Sequence, residues 1–386
     1  MLHIISTREG IIKLVKKILY LNNFEAPYRV PFYNGLAEKY DLTLALTNKI
    51  LDDKTRDKAW DYSGDRKYAI KKLKTVGFSK YKISFEVLKM LDNYDLIFMD
   101  MYGTLTNTLV CFWLKYIKKR KFLLSVDGIL NIENENIISI FIKRIILKCP
   151  YKVLSPGDNV DKRLNKYGVE SGRILRYHFT SILKNEILGD VVPYENKKQL
   201  KKELGITEER VLISVGRFIK IKGFDIIAEA AKKLPKDIGV YIVGGKPTES
   251  FTKHCKDNKL DNIHIINFQK KESLFRYFQA SDVFALATRW DPWGLVVNEA
   301  MANGLPVITT DMCVAGNEMI EDGVNGYSIK TDDSDSLAMR CLEIMGDDTL
   351  RETMGRNNLN LSEEYTVEGM VETHIKIFDD FFNGEL

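Results

Sequence analysis

The stretch TRWDPWGLVVNEAMANGLPV, residues 288–307, carries three local signals in succession. An apolar run, VFALA, ends just before it and reads as a buried strand. Asp291-Pro292-Trp293-Gly294 has the composition of a turn. From Leu295 onward apolar side chains return at helical spacing. A helix is therefore expected to begin near Gly294. The backbone N–H groups of its first turn, Leu295 and Val296 among them, suit an anion, a phosphate above all. Asp291 stands before the turn and Glu299 follows eight residues later, so both carboxylates can reach one small molecule. The plain alternative is a helix N-terminus at which the dipole favours an acidic residue.

Upstream, VLISV (211–215) reads as a short strand running into Gly216-Arg217-Phe218, with Lys222-Gly223 at the start of a helix. Gly216 lets the backbone pass close to a ligand. Arg217 offers a planar fork for two phosphate oxygens and Lys222 a mobile point charge, a pair suited to a leaving group that gains negative charge. The strand VYIV (240–243) reaches Gly244-Gly245, and the strand IHIINF (263–268) ends at Phe268 and Gln269. A helix is expected over 274–280, a strand over 307–310, a turn at 316–318, a short strand within 323–329 and a terminal helix over about 366–382. The run Asp332-Asp333-Ser334-Asp335 has the look of a metal-binding D-x-D, but it precedes a helix and reads better as solvated capping.

The first half alternates strands with helices. KILYL (17–21), LTLAL (42–46), LIFM (96–99) and FLLSV (122–126) read as strands, with helical patterns through Val30, Phe32, Leu36 and Ala37, at 84–91 and at 109–116. That order predicts a parallel sheet wrapped on both faces. Residues 1–16 form an extension, and the polar segment 52–79 reads as a mobile or acceptor-facing insertion. Asn22, Tyr28, Arg29 and Asp127 follow strand ends, where open parallel sheets bind ligands. The alternatives are a solvent-facing arginine in an irregular loop, and Asp127-Gly128 as ordinary turn chemistry.

The chain has 386 residues, enough for two cores, and its 45% apolar and 28% charged residues are globular values. Five scattered cysteines with no C-x-x-C pair point to free thiols and a reducing compartment, and away from zinc. No apolar run is long enough for a membrane span, and the expected location is cytoplasmic. The net charge is +4, with basic clusters in the first half at 13–17, 115–121 and 142–148. The last two alternate basic with large apolar side chains, as segments that lie on anionic lipid do. Ordinary amphipathic helices with lysines in water read the same way. No nucleic-acid module is present.

The 291–307 segment resembles the acid-x7-acid signature of the retaining glycosyltransferases of family 4, which reads loosely E-G-F-G-L-x-x-x-E-A-M-A-x-G-x-P-V. Here it reads D-P-W-G-L-V-V-N-E-A-M-A-N-G-L-P-V, with Asp291 where the family has glutamate. Residues 216–223 are similar to the family's G-R-F-x-x-x-K-G signature, and Gly244-Gly245 to its glycine step. Residues 27–32, PYRVPF, are similar to the opening of polysaccharide-building members. The resemblance implies an α/β chain of GT-B architecture: two Rossmann-like parallel-sheet domains facing a central cleft, with a C-terminal helix crossing back. It divides the chain into an extension (1–16), an acceptor domain (17–193), a linker (194–206), a nucleotide-sugar domain (207–362) and a terminal helix (363–386).

The implied activity is a metal-independent, retaining hexosyltransferase. It would move a sugar from a nucleoside-diphosphate sugar, UDP-sugar first and dTDP- or GDP-sugar next, to a glycan or polyprenyl-linked saccharide in capsule-like polysaccharide synthesis. Arg217 and Lys222 would bind the diphosphate, Asp291 the donor sugar and Glu299 the ribose. Phe268 and Gln269 would hold the base, with Gly216, Gly244, Gly245, Gly294, Leu295 and Val296 around the donor. Asp127 stands where relatives carry a histidine facing the donor sugar, to grip a hydroxyl or take the acceptor's proton. Tyr28 and Arg29 belong to the acceptor side. No cofactor and no metal is implied, and peripheral contact with the inner face of an anionic membrane stays open. The competing readings are a non-catalytic sugar- or nucleotide-binding subunit and a nucleotide-sugar epimerase of the same architecture.

Overall fold

Short runs of leucine, isoleucine and valine bounded by glycine, asparagine or aspartate become the strands of two parallel sheets, each covered by helices on both faces, as continuous apolar strands require. The computed structural model describes residues 4–6, 12–47, 64–77, 82–129 and 135–386, the first two strands by backbone alone. Two compact units divide them: one holds the described residues up to Phe179 together with Val367–Leu386, the other Thr180–Thr366.

In the first unit β1 (Ile4–Ser6) and β2 (Ile12–Leu14) pair antiparallel as a separate ribbon. The sheet follows with β3 (Lys17–Asn22), α1 (Val30–Ala37), β4 (Asp41–Leu46), β5 (Ala69–Lys72) and β6 (Leu96–Asp100). It continues through α2 (Leu105–Phe112), β7 (Leu123–Ser125), α3 (Ile137–Leu147), β8 (Lys152–Ser155), α4 (Asp158–Lys166) and β9 (Ile174–Arg176). All seven strands are parallel, in the order β5-β4-β3-β6-β7-β8-β9. Strand order therefore reverses between β3 and β6, and the carboxyl ends there are Asn22 and Asp100.

The second unit opens with α5 (Tyr194–Leu204), β10 (Arg210–Val215), α6 (Phe224–Ala231), β11 (Ile238–Val243), α7 (Glu249–Asp257), β12 (Ile263–Ile266) and α8 (Lys271–Ala280). It goes on with β13 (Val283–Leu286), α9 (Leu295–Ala302), β14 (Val307–Thr310), α10 (Val314–Met319), β15 (Gly326–Ile329), α11 (Ser334–Gly346) and α12 (Asp348–Ser362). Its six parallel strands run β12-β11-β10-β13-β14-β15, so this sheet reverses between β10 and β13. α5 ends at Gly205, whose φ of 70° closes the helix without the strain a side chain would bring.

The last helix, α13 (Val367–Asn383), belongs to the first unit. It lies on α1 so closely that a Cβ on Gly35 would stand 2.7 Å from a Val371 methyl. Phe378 packs edge-on to Phe98 at 5.1 Å, and Tyr40 donates its hydroxyl to Asp379 at 2.9 Å.

Three expectations are corrected. Residues 84–91 are 3-10 turns, Glu86–Lys89 and Leu91–Asn93, and the guanidinium of Arg120 takes the carbonyls of Leu91 and Tyr94 that a longer helix would need. Residues 316–318 lie inside α10, where Gly316 marks close approach: a Cβ there would meet a Thr309 methyl at 2.3 Å. Within the polar segment 52–79, residues 52–63 and 78–79 lie outside the described residues. Of the remainder, 69–72 form the edge strand β5, which is exposed along its length and so shows no apolar alternation.

Phe378 is fully buried among rings. Phe378→Ala should therefore cost about 3–5 kcal/mol in chemical denaturation. A loss below about 1 kcal/mol would show that α13 contributes little to this core.

Candidate functional site

In the second unit the reversal of strand order brings two segments far apart in sequence to one sheet end. β10 and β13 are hydrogen-bonded neighbours, so the loops leaving Val215 and Leu286 stand side by side, as ligand-binding loops do in such sheets. The 219–223 loop is clamped to the second segment: Thr288 Oγ1 donates to the Ile221 carbonyl at 2.9 Å and Arg289 N to the same oxygen at 2.7 Å. Gly223 has a φ of 68°, and a Cβ there would sit 1.8 Å from the Ala287 carbonyl oxygen, so only glycine permits the approach.

Arg289 reinforces the clamp, with bidentate bonds to Asp225 at 2.8 and 2.7 Å and a third to Asp332 at 2.7 Å. Asp333 accepts from Ser336 N at 2.9 Å and caps α11, as the D-D-S-D run suggested.

The result of the clamp is an ion pair: Lys222 Nζ lies 2.5 Å from Asp291 Oδ2. Around it stand the glycines. Gly294, at φ 98°, begins α9 with no side-chain cap, and a Cβ there would be 2.6 Å from Cys313 Sγ. A Cβ on Gly244 would meet the Gly216 carbonyl at 1.6 Å. The Asp291–Gly294 turn is itself strapped to 312–315. Asp291 N donates to the Met312 carbonyl at 2.9 Å, and Ala315 N to that of Trp293 at 2.8 Å. Burial beside Asp291 pushes the Cys313 thiol up to about 12, so it stays protonated. The first N–H groups of α9, from Leu295 and Val296, have no partner within the helix by its geometry.

Thus Gly216, Lys222, Gly244, Asp291 and Gly294 form one cluster. Glu299 lies further along α9, where its Oε1 accepts from Ser181 Oγ at 3.2 Å. Burial raises its pKa, opposed by the charge of Lys271 and the Ser181 bond. Lys271 donates to the Ser181 carbonyl at 2.7 Å and to Glu186 at 2.5 Å. Neither Ser181 nor Lys271 stood out in the sequence. Phe268 and Gln269 follow the edge strand β12, where Gln269 Nε2 donates to the Asn267 carbonyl at 3.1 Å. Gly245 keeps open space around its Cα, and Arg217 is half-buried after β10.

The first unit gathers its own polar group at its own reversal point. Arg29 is 3% exposed, which corrects the solvent-facing alternative. Its guanidinium bonds to Asp127, lies 3.6 Å from Asp100 and rests 4.5 Å over Phe179. Asp127 also accepts from the Tyr177 hydroxyl at 2.6 Å and from Ser125 Oγ at 3.2 Å. Asp100, 2% exposed, accepts from Tyr20 at 2.9 Å and from Asn22 at 3.0 Å. Arg29 and the hydroxyls of Tyr177 and Ser125 hold the Asp127 carboxyl in a fixed position. Tyr28, next to Arg29 in sequence, is half-buried. Asp100 was not singled out from the sequence. The carboxylate at the carboxyl end of LIFMD was the available signal.

His374 of α13 completes this core, packed at 4.8 Å against both Tyr177 and Phe32, with Nδ1 at 2.8 Å from the Met370 carbonyl. Burial pushes it down to about 4, helped by the cation of Arg29 and opposed by the Met370 bond. Burial pushes Asp100 up to about 7, against Arg29 and with Asp127.

The two signs oppose. Between pH 6.5 and 4 the unfolded chain takes a proton at 374 that the native state refuses, so stability falls as pH falls. Between about pH 4 and 7 the native state keeps a proton at 100 that the unfolded chain gives up, so that contribution falls as pH rises. His374→Gln should therefore lose about 2–3 kcal/mol less than the parent on going from pH 7 to pH 4.5. Parallel stability curves would show that His374 carries no such proton linkage.

Residues 196–360 match the family model described as glycosyl transferases group 1. The chain is 29% identical over 192 residues to N-acetyl-alpha-D-glucosaminyl L-malate synthase of Bacillus anthracis, covering 48% of this chain and 50% of that protein. It is 28% identical over 170 residues to the lipopolysaccharide core biosynthesis glycosyltransferase LpsE of Rhizobium meliloti, covering 43% and 49%. The chain thus spans about half the length of the curated relatives it matches. Among solved structures, Anabaena Alr3699/HepE in complex with UDP aligns with a TM-score of 0.74 and 16% identity, covering 95% of this chain and 100% of that one. At that identity the likeness shows the fold: a GT-B chain of two Rossmann-like parallel-sheet domains.

Proposed function

We propose that this protein is a retaining, metal-independent glycosyltransferase. In this reading it moves a hexose from a nucleoside-diphosphate sugar, a UDP-sugar by preference, to a hydroxyl of a glycan or lipid-linked saccharide in cell-surface polysaccharide synthesis. The observation that carries the reading is the Lys222–Asp291 pair, held at 2.5 Å beside the uncapped N-terminus of α9 in the segment that matches the transferase family. A relative that builds lipopolysaccharide core and a fold neighbour solved with UDP support the acceptor and donor classes. In this reading the second unit takes the donor, and the Arg29 and Asp127 group of the first unit reads the acceptor. The site of action is the cytoplasm, at the inner face of the membrane. Among the described residues no helix is long and apolar enough to cross one.

The chemistry follows from where charge develops. As the bond between the anomeric carbon and the phosphate oxygen breaks, negative charge grows on the leaving diphosphate. Lys222, Arg217 and the amides at Gly294–Val296 meet it, fixed donors that need no reorganisation as the bond breaks. Lys222 is free to turn to the diphosphate because one ion pair, to Asp291, is exchanged for another. Asp291 is then left to accept hydrogen bonds from the sugar. With cationic side chains on the leaving group, the mechanism requires no divalent ion. Glu299 holds the ribose hydroxyls, and retention follows if the acceptor attacks from the face the diphosphate leaves.

Lys222→Ala should lower kcat by about 10²-fold or more in an assay of nucleoside diphosphate release with acceptor present. Its melting temperature should change by only a few degrees, because the pair is partly exposed. An unchanged rate removes this mechanism. A screen of nucleotide sugars by thermal shift should single out the donor, since ligand at 100 times its Kd stabilises by about 2.7 kcal/mol. Binding without release of nucleoside diphosphate under any acceptor would favour the non-catalytic subunit instead.

A further inference from the structure

Lys271 stands where its own helix gives it no reason to be. It is the first residue of α8, an end at which the helix dipole disfavours a cation. A local rule broken and compensated elsewhere is expected where a sequence serves a site. The compensation comes from the segment that precedes α5. Lys271 Nζ donates to the Ser181 carbonyl at 2.7 Å and to Glu186 Oε2 at 2.5 Å, and the same carboxylate oxygen accepts from Leu183 N at 2.7 Å. The 181–186 turn is thereby fixed on α8, while Leu188 N, donating to the Ala302 carbonyl at 3.0 Å, ties its exit to the end of α9.

What this turn presents to α9 is a hydroxyl. Ser181 is 4% exposed, and its Oγ donates to Glu299 Oε1 at 3.2 Å. Among the described residues no other group donates a hydrogen bond to that carboxylate, and Glu299 is half-buried, so part of it stays open to a ligand. Two charged side chains act on it. The cation of Lys271 opposes the rise in pKa that burial imposes on Glu299, and the anion of Glu186 adds to that rise. All four residues lie within the second unit.

We propose that Lys271 is the positioning residue of this carboxylate: it seats Ser181 against Glu299 and supplies the positive charge that acts on it, so that Glu299 accepts the vicinal hydroxyls of a ribose. Resting on the assignment of the ribose to Glu299 in the transferase reading, this role goes beyond it by naming what holds the carboxylate ready. In a chain without the cation, burial and Glu186 act on Glu299 against the Ser181 bond alone, and the carboxyl keeps its proton to higher pH. A protonated carboxyl has given up acceptor capacity. Ribose recognition in such a chain therefore weakens as pH falls.

The test is calorimetric titration of the full chain with UDP and with its 2′-deoxy analogue, which share base and diphosphate and differ by one ribose hydroxyl. The parent should prefer UDP by about tenfold at both pH 8 and pH 6. Lys271→Met should approach that preference at pH 8 and fall below about threefold at pH 6, whereas Lys271→Arg should keep the parent's ratio at both. Binding by Lys271→Met at pH 8 also reports that the variant is folded. A preference that Lys271→Met retains in full at pH 6, or a loss that Lys271→Arg does not restore, overturns this role and leaves the ribose at Glu299. A parent that binds the two nucleotides equally, or binds neither, overturns both.

Discussion

A lysine and an aspartate sixty-nine positions apart meet at 2.5 Å, and the second unit is built so that they must. Neither side chain has a local reason to find the other. The contact exists because β10 and β13 pair where the strand order reverses, and because Gly223, Thr288 and Arg289 lock the two exit loops together. A cation and an anion held this way are available to a ligand that carries both a phosphate and a sugar. The same adjacency presents the first amides of α9, so positive charge comes from a side chain and a helix end at once.

The first unit solves a different problem with the same topology. At its reversal point it buries one guanidinium against two carboxylates, ringed by the hydroxyls of Tyr20 and Tyr177 and the ring of His374. Burying these charges is costly unless each is hydrogen-bonded, and here they are. α13 supplies His374 and Phe378 to this core, so the last helix of the chain is part of how the polar group is enclosed.

Much of this was legible in the sequence where a motif and a strand end coincide. The glycines at 216, 223, 244 and 294 announced backbone approaches that the structure resolves as contacts below 3 Å for a hypothetical Cβ at the last three. The strands beginning at Lys17, Asp41, Leu96 and Arg210 were visible as buried apolar runs. What escaped was decided by neighbours. β5 carries no apolar alternation because it lies exposed at an edge, and β8, only four residues long, hides in a polar context. The partners of Glu299 are set by packing of the 180–186 segment and α8, which no spacing reveals.

The central claim is that the paired Lys222 and the first amides of α9 receive a diphosphate. A crystal structure of the full chain with UDP tests it most directly. The account predicts the β-phosphate within hydrogen-bond distance of Lys222 Nζ and of the backbone N–H groups at Leu295 and Val296, with Asp291 turned from its partner. A nucleotide bound elsewhere, with the Lys222–Asp291 pair intact, would contradict it.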